Sequence, residues 1–235
     1  MIVLLGEPED DDLLWLAASL QRRSEHVEVV LPEELTIDST LTCRVDCLGV
    51  SSSLRLRDGR LLDSHTVELV VNRLADLRPV SPVRSAADAS YLAEEWRAAL
   101  VAWLRMMPRP VLNPPRAAAL GGPVMSPAAW RSIASAHGFS CRSWTSQEQT
   151  TPIDPVELVC VGSSWIDPTS TAPRSFGTPL CEMAKSSGAP LLGARFDRGD
   201  EWVFIDANGS PHLQAAGQPL VDAIVQYARK GGVPA

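Results

Sequence analysis

The first thirty-two residues constrain the fold more than any other stretch of the chain. Residues 1–6, MIVLLG, have the apolar character of a buried strand, and residues 26–32, HVEVVLP, alternate like a second one. Between them, residues 9–23 place leucines at helical spacing behind a run of acids, which the helix dipole favours in a first turn. A strand, a helix and a strand in this order favour a parallel sheet with a right-handed crossover. The opening therefore predicts an α/β fold.

Later segments continue the alternation of strands and helices. Residues 52–63, SSLRLRDGRLLD, predict a β-hairpin that turns at Asp58 and Gly59, and residues 66–74 predict a strand that reaches Arg73. The remaining predicted elements are helices at 126–139, 179–187 and 215–230 and strands at 156–162, 189–196 and 202–206.

The longest predicted helix covers residues 85–107 and is capped by Ser85. Prolines at positions 108, 110, 114 and 115 follow it and mark a boundary near residue 110. The sequence therefore predicts two domains, residues 1–110 and residues 111–235.

Charge and composition exclude several classes of function. The net charge of −7 comes with no basic stripe, so nucleic acid is not an expected partner. No apolar run reaches the ~18–20 residues that a membrane-spanning helix needs, and the start lacks a secretory pattern, so we expect a cytoplasmic protein without a membrane partner. The five cysteines are scattered and are expected to be reduced.

The turn after the first strand, GEPEDDD, holds one glycine and five acids. It differs from the glycine-rich phosphate loop of dinucleotide-binding folds, and its carboxylates would repel a pyrophosphate. The sequence therefore argues against a nicotinamide cofactor at this turn.

Residues 201–213, EWVFIDANGSPHL, contain the most suggestive pair of polar residues. Asp206 and Asn208 are two apart on a predicted strand, so their side chains project from one face, and their oxygens suit a hard cation such as magnesium. The alternative is a strand end whose polar residues form a turn, because Asp, Asn, Gly, Ser and Pro are turn formers.

Several segments, in order, resemble the ATP-grasp ligases that modify ribosomal peptides and carry a pre-ATP-grasp N-terminal domain. The similar segments are IVLLGEPEDDDLLWLAASL, LRLRDGRLLDSHTVELVVNRL, SAADASYLAEEWRAAL, PVLNPPRAAA with AWRSIASAHGF, and LLGARFDRGDEWVFIDANGSPHLQAAGQPLVDAIVQYARK. The resemblance implies a parallel-sheet, pre-ATP-grasp-like N-terminal domain followed by an ATP-grasp-like α+β part.

The resemblance also implies chemistry and site residues. Such ligases phosphorylate a carboxylate with ATP and pass the acyl group to an amine or hydroxyl, and cations neutralise the transferred phosphoryl group. By position, Arg73 is expected to contact a substrate carboxylate, and Tyr91 and Glu94 are expected to form a helix face that contacts the peptide. The expected magnesium ligands are Asp197, Asp206 and Asn208.

The chain departs from the family pattern where the nucleotide-binding lobe is expected. Only about fifty residues separate Phe139 from Pro190, whereas a domain usually takes ~100 or more. The chain has two lysines, Lys185 and Lys230, and neither matches a phosphate-binding position of the family. Arg174, within APRSFG, is the one candidate remnant of the nucleotide lid. The C-terminal part is therefore expected to be truncated.

The predicted magnesium site departs from the family pattern as well. Asp206 stands where the family has a glutamate, while Asn208 matches. The second carboxylate should come from the preceding strand, where Asp197 is nearest, but the register could instead place Arg195 there and oppose a cation.

These features lead to three hypotheses. The first is an ATP-grasp-like protein without ligase activity of its own and without a cofactor, which binds a partner protein or a precursor peptide in a biosynthetic pathway. The second is an active ATP-dependent carboxylate–amine ligase with a minimal nucleotide and magnesium site. The third is a small-molecule binding module, in which the acids at 7–12 favour cationic ligands.

Overall fold

The structure is a computed structural model that describes residues 1–47, 49–77, 85–116, 119–141 and 154–231. In chain order its elements are β1 (Ile2–Leu5), α1 (Asp11–Arg22), β2 (Val27–Val30), α2 (Pro32–Thr36), β3 (Thr40–Asp46), β4 (Gly49–Arg55), β5 (Leu61–Asp63), β6 (Leu69–Asn72), α3 (Ala86–Met106), β7 (Val111–Leu112), α4 (Pro127–Ala136), β8 (Pro155–Val161), β9 (Ser164–Ile166), α5 (Gly177–Ser187), β10 (Leu191–Arg198), β11 (Trp202–Asn208) and α6 (Leu213–Arg229).

Three sheets organise the described residues. A parallel sheet has the strand order β2-β1-β6-β7, an antiparallel sheet has the order β11-β10-β8-β9, and β3, β4 and β5 form a small antiparallel sheet. The α/β class expected from the opening residues is confirmed, with the parallel sheet at the N-terminal end.

Helices cover both faces of the parallel sheet. Ile2 and Leu4 of β1 pack in one apolar cluster with α1 and α6, whereas Val3 and Leu5 pack in another with α3 and the small sheet. Because side chains alternate along a strand, β1 serves both clusters, which explains why its apolar run is unbroken.

The cluster that contains α6 also joins the two halves of the chain. It includes Val159 and Leu191 of the antiparallel sheet together with Leu69 of the parallel sheet. Helices α1 and α6 therefore lie between the two four-stranded sheets. The proposed division at residue 110 stays a prediction, since this core extends across it.

Local signals account for most element ends. The Ser85 side chain accepts from the Asp88 amide and caps α3, and Ser126 caps α4 through the Ala129 amide. Gly138 has φ +85° just beyond the end of α4. The hairpin of β4 and β5 turns at Asp58 and Gly59 as expected. The sequence did not reveal β3, because nearly all of its residues are exposed.

Among the described residues, no helix combines the length and apolar character that crossing a bilayer requires. The expected shortening of the nucleotide-binding lobe concerns the interval between Phe139 and Pro190. Residues 142–153 of this interval lie outside the described residues.

Candidate functional site

Arg73 lies at the carboxyl end of β6, where ligands usually bind to open parallel sheets. Its guanidinium is almost entirely buried, with 6% of the side chain exposed. Its Nε and Nη2 donate to the two oxygens of Asp10 at 2.6 and 3.1 Å, and its Nη1 donates to the Pro211 carbonyl at 3.0 Å. Asp12 lies 3.8 Å from Nη2. Arg73 therefore ties β6 to the start of α1 and to the segment that precedes α6.

Two asparagines extend this connection at the ends of β6 and β7. The buried Asn72 amide donates to the carbonyls of Asn113 and Leu120 at 2.9 and 2.6 Å. The Asn113 side chain donates to the Gly209 carbonyl and accepts from the Leu191 amide at 3.2 Å. Asn113 has φ +61°, which asparagine tolerates better than most residues. These contacts hold β10 and β11 against the parallel sheet.

Arg195 on β10 and Asp206 on β11 form a solvent-exposed charged pair. They are directly opposite one another on β10 and β11, and Arg195 Nε and Nη2 each donate to one Asp206 oxygen at 2.7 Å. The hydrogen bonds that Arg195 donates to Asp206 raise the pKa of Arg195 above its ordinary value, and the charges of Asp206 and of Glu157, the cross-strand neighbour on β8, raise it further. The structure thus places Arg195, and not Asp197, opposite Asp206.

A β-bulge determines which face Asp206 occupies. The register shifts between Arg195 and Phe196, so that Phe196 lies opposite Phe204 while Arg195 lies opposite Asp206. Phe204 points into an apolar core cluster, and without the bulge the alternation of side chains would send Asp206 to the same face. The bulge instead places Asp206 beside Arg195.

The other two predicted metal ligands also have protein partners. Asn208 Oδ1 accepts from the Ser210 amide at 2.8 Å, which is the turn interaction that the sequence left as the alternative. Asp197 is only 1% exposed, and its Oδ1 accepts from the Asp154 amide at 3.2 Å. Within the described residues, no group of three or more His, Cys, Asp or Glu side chains could hold a metal ion.

As arranged, these residues do not fit a magnesium ion, because a guanidinium occupies both oxygens of Asp206. A cation at this point would have to displace Arg195 and would otherwise meet a positive charge at close range. The assignment of Asp197, Asp206 and Asn208 as metal ligands stays a prediction of the active-ligase hypothesis.

An acidic depression lies next to Arg73. It is open to solvent, has a volume of about 500 Å³, and is lined by Glu9, Asp10, Asp11, Asp12, His212, Gln214 and Ala215. Asp12 accepts from the Gln214 amide at 2.8 Å, and His212 lies 3.6 Å from the same carboxylate. The negative charge of the depression opposes a triphosphate and favours a cationic group.

The remaining predicted site residues lie elsewhere. Tyr91 and Glu94 both lie exposed on α3, with Tyr91 69% exposed, so they can form one solvent-facing patch. Arg174 is exposed in a short 3-10 turn that leads into α5. Because α5 packs on the face of the antiparallel sheet opposite to Glu157 and Arg195, Arg174 is separated from Asp206. The roles predicted for Arg73, Tyr91, Glu94 and Arg174 stay predictions.

The sequence did not reveal three residues that connect the parallel sheet, β10 and β11 around the candidate site. The sequence analysis includes Asp10 only as one acid of a run and assigns no role to Asn113 or Glu157. A signal was present for Asn113 alone, since an asparagine before two prolines is typical of a position with an unusual backbone conformation.

The fold defined by these sheets is that of the ATP-grasp ligases. The structure of the macrocyclase MdnC bound with precursor peptide MdnA, from Microcystis aeruginosa MRC, is similar with a TM-score of 0.71 and 10% identity, over 98% of this chain and 100% of that one. No protein-family model matches the sequence, and no curated protein matches it.

Two further solved structures show the same likeness. One is a RiPP-associated ATP-grasp ligase from Chryseobacterium gregarium in complex with ADP and a leader and core peptide, with a TM-score of 0.64 and 10% identity over 97% of this chain and 96% of that one. The other is the ATP-grasp ligase PsnB complexed with a variant of its minimal precursor, Mg and ADP, with a TM-score of 0.66 and 14% identity over 97% of each chain. The resemblance inferred from the sequence is confirmed at the level of the fold.

Proposed function

We propose that this protein acts in the biosynthesis of a modified peptide, binds a precursor peptide and does not catalyse ligation on its own. The similar solved structures contain precursor, leader or core peptides, which supports a peptide as the partner. The second candidate partner is a protein that would supply the part of the nucleotide-binding lobe that this chain is expected to lack.

The observation that carries the absence of ligation is the Arg195–Asp206 pair. Asp206 stands where the family resemblance expects a magnesium ligand, and both of its oxygens accept hydrogen bonds from Arg195. The pair is solvent-exposed and contributes only about 0–1 kcal/mol to stability, but a bound cation would have to displace the guanidinium from both carboxylate oxygens. The acids from Glu9 to Asp12 add repulsion toward a nucleotide phosphate.

Nucleotide binding measured by calorimetry tests this proposal. We expect the wild-type protein titrated with ATP and magnesium chloride to give no magnesium-dependent binding heat. Arg195→Met removes the guanidinium from Asp206. Arg198→Met is the control, because Arg198 lies further along β10 and also pairs with a carboxylate, its Nη2 and Nε lying 2.6 and 2.7 Å from Asp154 Oδ2. Micromolar, magnesium-dependent binding of ATP by the wild-type protein would contradict the proposal.

The alternative is an active carboxylate–amine ligase with ATP and magnesium as cofactors. The similarity to PsnB, solved with Mg and ADP, favours it. It requires that Arg195 swing away from Asp206 when nucleotide binds. Release of ADP in the presence of the precursor peptide, lost in Asp206→Ala/Asn208→Ala and retained in Arg198→Met, would establish the alternative.

Peptide binding has its own test, which does not depend on ATP. The probe is a fluorescent copy of MdnA, the precursor peptide in the structure of MdnC, and its anisotropy is followed with increasing protein. If the exposed face of α3 contacts the peptide, Tyr91→Ala and Glu94→Gln weaken binding, whereas Leu14→Ala, which trims a 46% exposed leucine on α1, leaves it unchanged. Equal affinity for all these variants would remove α3 from the proposed peptide site.

A further inference from the structure

Two of the five cysteines meet at the interface of β8 and α5. Cys160 on β8 is fully buried and Cys181 on α5 is partly exposed. Their sulfur atoms lie 3.6 Å apart, with the Cys160 thiol donating to Cys181. Cys43 and Cys47 are exposed on the small sheet, and Cys141 donates to backbone carbonyls near α4, so these three belong to other parts of the fold.

We propose that Cys160 and Cys181 form a dithiol site that a hydroperoxide oxidises to an intramolecular disulfide. Forming the bond requires the sulfurs to approach from 3.6 Å to ~2.05 Å. Rotation of the two side chains about their χ1 angles would have to supply this approach. This site is independent of the nucleotide and peptide sites proposed above.

The two thiols have unequal roles because their surroundings differ. The hydrogen bond from Cys160 lowers the pKa of Cys181, whereas the same hydrogen bond and then burial raise the pKa of Cys160. Cys181 is also the partly exposed member of the pair. Cys181 is therefore the thiol that forms the thiolate and meets the oxidant first, and Cys160 is the thiol that resolves the product.

The chemistry balances with a hydroperoxide as the only added reactant. The Cys181 thiolate attacks the terminal peroxide oxygen, the S–O bond forms, the O–O bond breaks, and the leaving alkoxide takes up a proton. Cys160 then loses its proton and attacks the sulfenic sulfur, the S–S bond forms, and the hydroxide leaves as water. The dithiol loses two electrons and two protons, and the hydroperoxide becomes an alcohol and water.

The disulfide would close a loop that contains β9 and the turn at Arg174. Closing a loop restricts the chain between the bridged residues. Oxidation would therefore hold the Arg174 turn, which leads directly into α5, more firmly against the antiparallel sheet.

Peptide mass spectrometry tests the proposal on the full chain. The starting variant carries Cys43→Ser, Cys47→Ser and Cys141→Ser, so that Cys160 and Cys181 are the remaining cysteines. It is treated with hydrogen peroxide, denatured, alkylated and digested with trypsin. Cleavage after Arg174 separates peptide 143–174, which holds Cys160, from peptide 175–185, which holds Cys181.

We expect the two peptides to be recovered as one cross-linked species that is two hydrogens lighter than their sum, and dithiothreitol to release them. Adding Cys160→Ala should abolish the cross-link and leave Cys181 as a sulfenic acid that dimedone traps. Adding Cys181→Ser should abolish both products. Recovery of peptide 143–174 with an alkylated Cys160 after peroxide treatment that has oxidised Cys181 would overturn the proposal, and so would oxidation of neither thiol.

Discussion

The burial of Arg73 gives a sharp prediction about stability. Arg73→Met keeps most of the apolar volume of the side chain but removes the guanidinium that pairs with Asp10 and donates to the Pro211 carbonyl. The carboxylates of Asp10 and Asp12 are each only 17% exposed, and they would remain without their cation. Removing one partner of a buried pair costs about 3–5 kcal/mol.

The expected loss is large enough to measure by two methods. Urea unfolding followed by circular dichroism should show a free energy of unfolding lower by about 3–5 kcal/mol. At about 2–4 °C for each kcal/mol in a chain of this length, the thermal midpoint should fall by about 6–20 °C.

Two matched variants separate the burial effect from the loss of an arginine as such. Arg195→Met breaks a pair of the same geometry whose side chains are 45% and 35% exposed, so it should cost only about 0–1 kcal/mol. Asp10→Asn combined with Arg73→Met removes both buried charges, while asparagine can still cap α1, so the double variant should be more stable than Arg73→Met alone. A loss below about 1 kcal/mol for Arg73→Met, or a double variant that is less stable than the single one, would refute this reasoning.

Three further predictions address other parts of the structure. Asn113→Ala should destabilise the protein by about 1 kcal/mol more than Asn113→Gly in urea unfolding, because both lose the side-chain bonds but only alanine is strained at φ +61°. Burial raises the pKa of Asp167, but hydrogen bonds from Ala172 and Thr169 lower it by more, so the net shift is downward. The stabilising contribution of Asp167 is therefore present above the unfolded pKa of ~3.9 and is lost as pH falls through the lower folded pKa. Asp167→Asn should reduce this loss of stability at acid pH, measured by unfolding at a series of pH values. Cys160→Ala removes the hydrogen bond that lowers the pKa of Cys181, so the pH at which iodoacetamide reacts with Cys181 should rise; an unchanged pH profile would contradict this.

Predictions from the sequence succeeded where a local pattern has a local cause. The cap at Ser85 and the hairpin turn at Asp58 and Gly59 both depend on interactions within a few residues. The strands with unbroken apolar runs were found for the same reason, because burial on both faces leaves a continuous signal in the sequence.

The candidate site was predicted less completely, because its contacts join distant parts of the chain. Arg73 and Pro211 are 138 residues apart, and Asn113 and Gly209 are 96 apart. No spacing rule connects such positions. The bulge beside Phe196 is equally hidden, since a one-residue shift in register moves a side chain to the other face of a sheet without any change in its own sequence signal.

By itself, the sequence determined that this chain forms an α/β structure with a parallel sheet at its start, and the order of its segments was enough to indicate the ATP-grasp fold. Periodicity and capping carry that information because each element is recognised within a short window. The tertiary structure alone decided that Arg195 lies opposite Asp206, that Arg73 is buried against Asp10, and that Cys160 meets Cys181. These outcomes depend on strand register and helix packing, which arise only when residues far apart in the chain come together.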